Sequence, residues 1–114
     1  MALRTSVRQV RDVTVIDLAG RITLGEGCAL LRQTIRDLLG RGERNILLNL
    51  AEVTYIDSAG LGELVGSHVS VSNAGGRLKL LHSQSRIRDL LQVTRLHTVF
   101  ESYENQSLAL LSFE

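Results

Sequence analysis

The sequence predicts a small α/β domain: a mixed, mostly parallel β-sheet with an N-terminal hairpin, packed against about four α-helices. Three observations carry that expectation. After an opening pair of strand-like runs, further strand-like runs alternate with stretches whose apolar residues recur at helical spacing. The run Ile46-Leu47-Leu48-Asn49-Leu50 is almost unbroken in its apolarity, as a strand covered on both faces must be. Gly40 with Gly42, and Gly75 with Gly76, close the two longest helical stretches by offering the left-handed conformation. At 114 residues and 44% hydrophobic content, the chain has the material for one core, so a single domain over residues 1–114 is expected.

The elements follow in order. Leu3 to Val10 reads as a first strand and Arg11-Asp12 as a tight turn. Val13 to Leu18, rich in β-branched residues, reads as a second strand that ends at Gly20. A loop through Thr23, Gly25 and Gly27 leads into a helix with Cys28, Leu31, Ile35 and Leu38 on one face. The strand Ile46–Leu50 precedes a second helix from about Ser58, with Leu61, Leu64, Val65, His68 and Val69 on its apolar side. Leu78 to Leu81 is a further buried strand, and Ile87, Leu90 and Leu91 mark a third helix. Val99-Phe100 predicts a last short strand, and Leu108 to Phe113 a closing helix.

Composition excludes several function classes. Thirteen basic against twelve acidic residues leave a net charge of +1, without the positive field of a nucleic-acid binder. Two tyrosines and two phenylalanines cannot build a base-stacking platform. The single Cys28 forms no internal disulfide and suits a reducing compartment. No apolar run approaches the ~20 residues that span a bilayer, and no signal-peptide core opens the chain. A cytoplasmic protein that neither inserts in a membrane nor binds nucleic acid is expected.

The second helix is locally odd. Gly60, Gly62 and Gly66 fall within it, although each costs roughly 1 kcal/mol relative to alanine. Ser58, Gly62 and Gly66 lie at i, i+4 and i+8, a stripe of small residues that permits close approach of another backbone. The plain alternative is tight packing of this helix on its own sheet. Ser58 sits where a helix begins, which suits an N-cap serine, and Asp57 suits the positive end of the helix dipole.

Three chemistries compete for that cluster. A serine-hydrolase elbow would want glycine two residues either side of the serine. Gly60 fits downstream, Ile56 stands upstream, and His68, His82 and His97 offer no assignable base. A dinucleotide turn would want the strand to end directly ahead of Gly60 and an acid about 20 residues on, where Leu80, Leu81 and His82 stand. A regulatory phosphate on Ser58 needs neither. It adds close to two negative charges where free N–H groups and the dipole accept them, leaves the fold intact, and changes what can dock on the stripe.

The segment Asn49-Leu50-Ala51-Glu52-Val53-Thr54-Tyr55-Ile56-Asp57-Ser58-Ala59-Gly60-Leu61-Gly62 resembles the signature of the STAS domain of bacterial anti-sigma factor antagonists. The flanks agree: the opening hairpin into Gly20-Arg21-Ile22, the amphipathic helix, and Gly75-Gly76-Arg77-Leu78-Lys79-Leu80. The resemblance implies partner switching. The unphosphorylated antagonist binds an anti-sigma factor that is also an ATP-dependent serine kinase, and so releases a sigma factor. The kinase phosphorylates the serine at the signature position, Ser58, and a serine phosphatase restores the active form. ATP and magnesium then belong to the kinase, and the chain itself needs no cofactor and catalyses nothing.

Partner contacts are expected from Thr23, Asp57, Ser58, Ala59, Leu61 and Gly62, with the chain a monomer or weak homodimer. Many antagonists carry an aspartate where Thr23 stands; the threonine hydroxyl can still hydrogen-bond but supplies no charge to the partner. Two other roles remain open for such a domain: an accessory subunit of a membrane transporter, or a scaffold component of a stress-sensing complex. Cys28 reads as core and His68 as a partly buried histidine. The twelve arginines are scattered, and no metal-ligand spacing emerges.

Overall fold

The computed structural model describes residues 2–114. Five strands form one mixed sheet in the order β1-β2-β3-β4-β5. β1 (Arg4–Val10) and β2 (Val13–Ile22) are the predicted antiparallel hairpin, turning at Arg11, whose φ is +56°. β2, β3 (Asn45–Ile56), β4 (Arg77–Leu81) and β5 (Ser102–Tyr103) run parallel. The connections are α1 (Glu26–Gly40), α2 (Ser58–Asn73) and α3 (Ser85–Val93), and α4 (Gln106–Leu111) closes the chain.

Alternation in the strands sorts their side chains onto two faces. Ile16, Leu18, Ile46, Leu48, Leu78 and Leu80 meet Leu31 and Ile35 of α1, Leu61 and Leu64 of α2, and Ile87 and Leu91 of α3 in the larger core. Val13, Val15, Leu47 and Leu81 meet Ala109, Leu110 and Phe113 in a smaller core under α4. Lys79 is 5% exposed and ties α4 down: its Nζ donates to Ser112 O (2.9 Å) and Ser112 Oγ (3.0 Å), and lies 4.8 Å from the Phe113 ring centre. The Arg8 Nε to Asp17 Oδ2 bond (2.7 Å) and the Arg8 Nη2 to Gln106 Oε1 bond (2.7 Å) anchor the other end.

Four expectations are corrected. β2 does not end at Gly20 but continues to Ile22, because register shifts beside Asp17 and Gly20 absorb the glycine, at φ +105°, as irregularities within the strand. β3 does not end at Leu50 but reaches Ile56. Its second half lies beyond the last β4 pairing, Asn49 with Leu81, so exposed Glu52, Thr54 and Tyr55 replace the continuous apolar run. The last strand is Ser102–Tyr103, not Val99-Phe100, which follow a 3-10 turn at Leu96–Thr98. Val69 is 47% exposed, because the buried face of α2 runs through Gly60, Leu61, Leu64, Ser67 and Val71.

Candidate functional site

The signature residues gather where β2 and β3 end and α2 begins. Asp57, not Ser58, is the N-cap of α2: its backbone is extended and its Oδ1 accepts from the Gly60 N–H at 2.7 Å. An aspartate takes the cap ahead of the serine because its second oxygen also has a donor to hold, which a serine hydroxyl at that position could not serve together with the cap. Ser58 becomes the first helical residue and is exposed, its hydroxyl unused by the cap. Oδ2 of Asp57 accepts from the Leu24 N–H at 3.0 Å, which carries the loop after β2 onto the helix start. The Leu24 and Gly60 N–H groups hold the Asp57 carboxyl below the usual carboxylate range.

The three glycines of α2 have different roles. At Gly60 a Cβ would lie 2.0 Å from Ile22 O and 2.9 Å from Ile56 Cγ2, so only glycine lets the end of β2 pass this close. At Gly62 and Gly66 a Cβ would meet nothing within 4 Å. Tight packing of this helix on its own sheet therefore holds at Gly60, off the stripe, and not along Ser58, Gly62 and Gly66, which are all exposed. The long β3 also removes one objection to a dinucleotide turn, since the strand ends just before Asp57. The Ile22 carbonyl supplies another by occupying the space Gly60 would open to a ligand.

Ser58 borders a groove of about 690 Å³ between the start of α2 and one side of α3. Tyr55, Ile56, Asp57 and Leu61 form one wall, and Arg86, Ile87, Asp89, Leu90, Val93 and Thr94 the other. Of the expected contact residues, Asp57, Ser58 and Leu61 line it, while Thr23, Ala59 and Gly62 lie outside it on the adjoining surface. Leu61 is 9% exposed and belongs chiefly to the larger core. Sequence reasoning missed the α3 wall and Leu24. Val93, 83% exposed, stands off the buried face of α3, and Leu24, 80% exposed, stands in the turn before α1, where no periodicity marks it.

Other candidates resolve as structural. Cys28 is buried, and its thiol is pushed up by burial first and then by Glu63 and Asp57. His68 packs edge-to-face on Phe100 with ring centres 5.5 Å apart. Among the described residues no cluster of His, Cys, Asp or Glu could hold a metal, and no helix is long and apolar enough to cross a membrane.

The STAS domain family matches residues 4–109, nearly the whole chain. The chain is a STAS domain. Its relatives include the anti-sigma-B factor antagonist of Bacillus subtilis, 30% identical over 101 residues that cover 89% of this chain and 91% of the relative. The anti-sigma F factor antagonist of Paenibacillus polymyxa is 24% identical over 114 residues, 100% of this chain and 97% of the relative. Among solved structures, TM1081 of Thermotoga maritima superposes with a TM-score of 0.88 at 26% identity, over 96% of this chain and 93% of the other. The Bacillus cell fate determinant SpoIIAA in its phosphorylated form superposes with a TM-score of 0.70 at 20% identity, over 92% and 96% of the two chains, a likeness of fold alone. This STAS domain thus sits among anti-sigma factor antagonists by sequence and by architecture.

Proposed function

We propose that this STAS domain is an anti-sigma factor antagonist that works by partner switching on Ser58. Unphosphorylated, it binds an anti-sigma factor with serine kinase activity, and so frees a sigma factor. Phosphorylated on Ser58 by that kinase it lets go, and a serine phosphatase returns it to the binding form. The observation that carries the reading is the placement of Ser58: exposed, first in the helix, excused from capping by Asp57, and at the rim of a groove with apolar walls.

The chemistry of that position supports a switch that leaves the fold alone. A phosphate at the first helical residue meets the positive end of the helix dipole and its free N–H groups. It also puts close to two negative charges beside Asp57, on the surface a partner would have to desolvate. Gly62 and Gly66 leave the adjoining helix face bare of side chains, so a partner backbone can lie against it.

The test is a paired capture from lysate of the source cell with wild type and Ser58→Glu as baits, read by mass spectrometry. Recovery of a serine-kinase anti-sigma factor by wild type and its loss with Ser58→Glu is the expected result. Equal recovery by both baits, or retention of a transporter ATPase or permease by both, overturns the switch and leaves Ser58 a passive surface residue.

A further inference from the structure

A kinase that brings phosphate to Ser58 must cover the surface around that hydroxyl, and the segment latched to that spot is the loop between β2 and α1. One carboxylate joins the two. Asp57 Oδ1 takes the Gly60 N–H at 2.7 Å and Oδ2 takes the Leu24 N–H at 3.0 Å, linking chain segments 33 residues apart. Apart from the Leu24 bond, the tip is held by the first turn of α1, where the Ala29 N–H donates to Gly25 O at 3.0 Å. Gly25, at φ +100°, precedes α1 without a side-chain cap bond, and Thr23 contributes only its carbonyl, to the Cys28 N–H at 3.1 Å. Behind the tip, the Asp57 N–H reaches Ile22 O at 3.3 Å, and the missing side chain of Gly60 lets that backbone close on the helix. The result of this bracing is a leucine side chain held 80% in solvent.

We propose that Asp57 is a positioning residue that latches this loop so that Leu24 stands beside Ser58 as the apolar anchor for the serine kinase. The proposal rests on the partner-switching reading above and says which feature of the loop the kinase reads. With an uncharged threonine at position 23, the prominent feature of the loop is hydrophobic rather than ionic. A buried leucine anchor gives a partner apolar area, and a tip that is already held costs less order to bind than a free one. Asp57 has both carboxylate oxygens engaged on N–H donors, one on the helix start and one on the loop, so a single side chain fixes the two relative to each other.

Asp57→Asn separates the two tasks of this carboxylate. Its one amide oxygen can still cap Gly60, but the amide NH2 cannot accept from the Leu24 N–H. By amide hydrogen exchange, Leu24 should exchange at least about tenfold faster in Asp57→Asn than in wild type, while the interior amides of α2 keep their protection and report an intact fold. Binding of the purified serine-kinase anti-sigma factor should weaken about tenfold in both Asp57→Asn and Leu24→Ala. Leu24→Met should restore most of it, and Leu108→Ala, a change at a leucine 59% exposed on α4, should bind as wild type. Unchanged exchange at Leu24 in Asp57→Asn overturns the latch. Wild-type kinase binding by Leu24→Ala overturns the anchor. If wild type itself binds no serine kinase, the functional reading and the anchor fall together, and the exchange experiment still decides the latch.

Discussion

Alanine at Gly60 and alanine at Gly62 should change stability in opposite directions, although the two positions lie two residues apart in one helix. At both, replacing glycine gains about 1 kcal/mol of helix propensity. At Gly62 nothing lies within 4 Å of the new Cβ, so that gain is realised in full. At Gly60 the Cβ would stand 2.0 Å from Ile22 O and 2.9 Å from Ile22 C, both backbone atoms of a paired strand that cannot turn aside as a side chain would. Overpacking against fixed structure costs typically 1–3 kcal/mol, and an approach this short belongs at the upper end. The net expectation is a loss of about 2 kcal/mol for Gly60→Ala and a gain of about 1 kcal/mol for Gly62→Ala. For a domain of this size that is a melting temperature lower by roughly 10 °C in the first and higher by roughly 5 °C in the second. Calorimetry or circular-dichroism melting of the three proteins measures both. A Gly60→Ala protein that melts at or above wild type would refute the close-approach account of this glycine. Gly62→Ala has a second use: a more stable protein that has lost kinase binding would show that the bare helix face serves a partner and not the fold.

The remaining predictions concern charge, the C-terminal helix and the groove. The carboxyls of Asp17, beside Arg8 and Asn49, of Asp57, and of Glu101, beside Lys79 and Tyr103, are all held below the ordinary carboxylate range. Each therefore binds its proton less readily folded than unfolded, so stability is complete at neutral pH and declines as pH falls below about 4. Urea midpoints measured from pH 7 to pH 3 should fall, and a flat profile would contradict the pairing. Lys79→Ala removes the cation that holds Ser112 and Phe113, and should cost about 1–3 kcal/mol with faster amide exchange confined first to α4. Val93→Asp, at a residue 83% exposed on the groove wall, should leave the melting temperature within a few degrees of wild type and weaken kinase binding. Wild-type affinity in that variant would place the partner off the groove.

Features that depend on neighbours along the chain were legible from residue order alone. The period of Cys28, Leu31, Ile35 and Leu38 announced α1, the apolar run Ile46–Leu50 announced a covered central strand, and the segment around Ser58 marked the family signature, because each is a local pattern on one element. How the glycines are used depends instead on what the fold packs against each one. Gly20 read as a strand end and is an irregularity within β2, and Gly60, Gly62 and Gly66 read as equals until Ile22 O was seen against one of them alone. The cap passed from Ser58 to Asp57 for the same reason: the second acceptor of that carboxylate is spent on Leu24, 33 residues away, and nothing in the local pattern announces such a bond. The far wall of the groove was equally invisible, since α3 meets the start of α2 only once both helices lie on the same face of one sheet. Periodicity reports which side of an element is buried. It does not report which residues from distant segments share a surface, because that depends on strand order and register, and here those brought Leu24, Asp57 and Ser58 together.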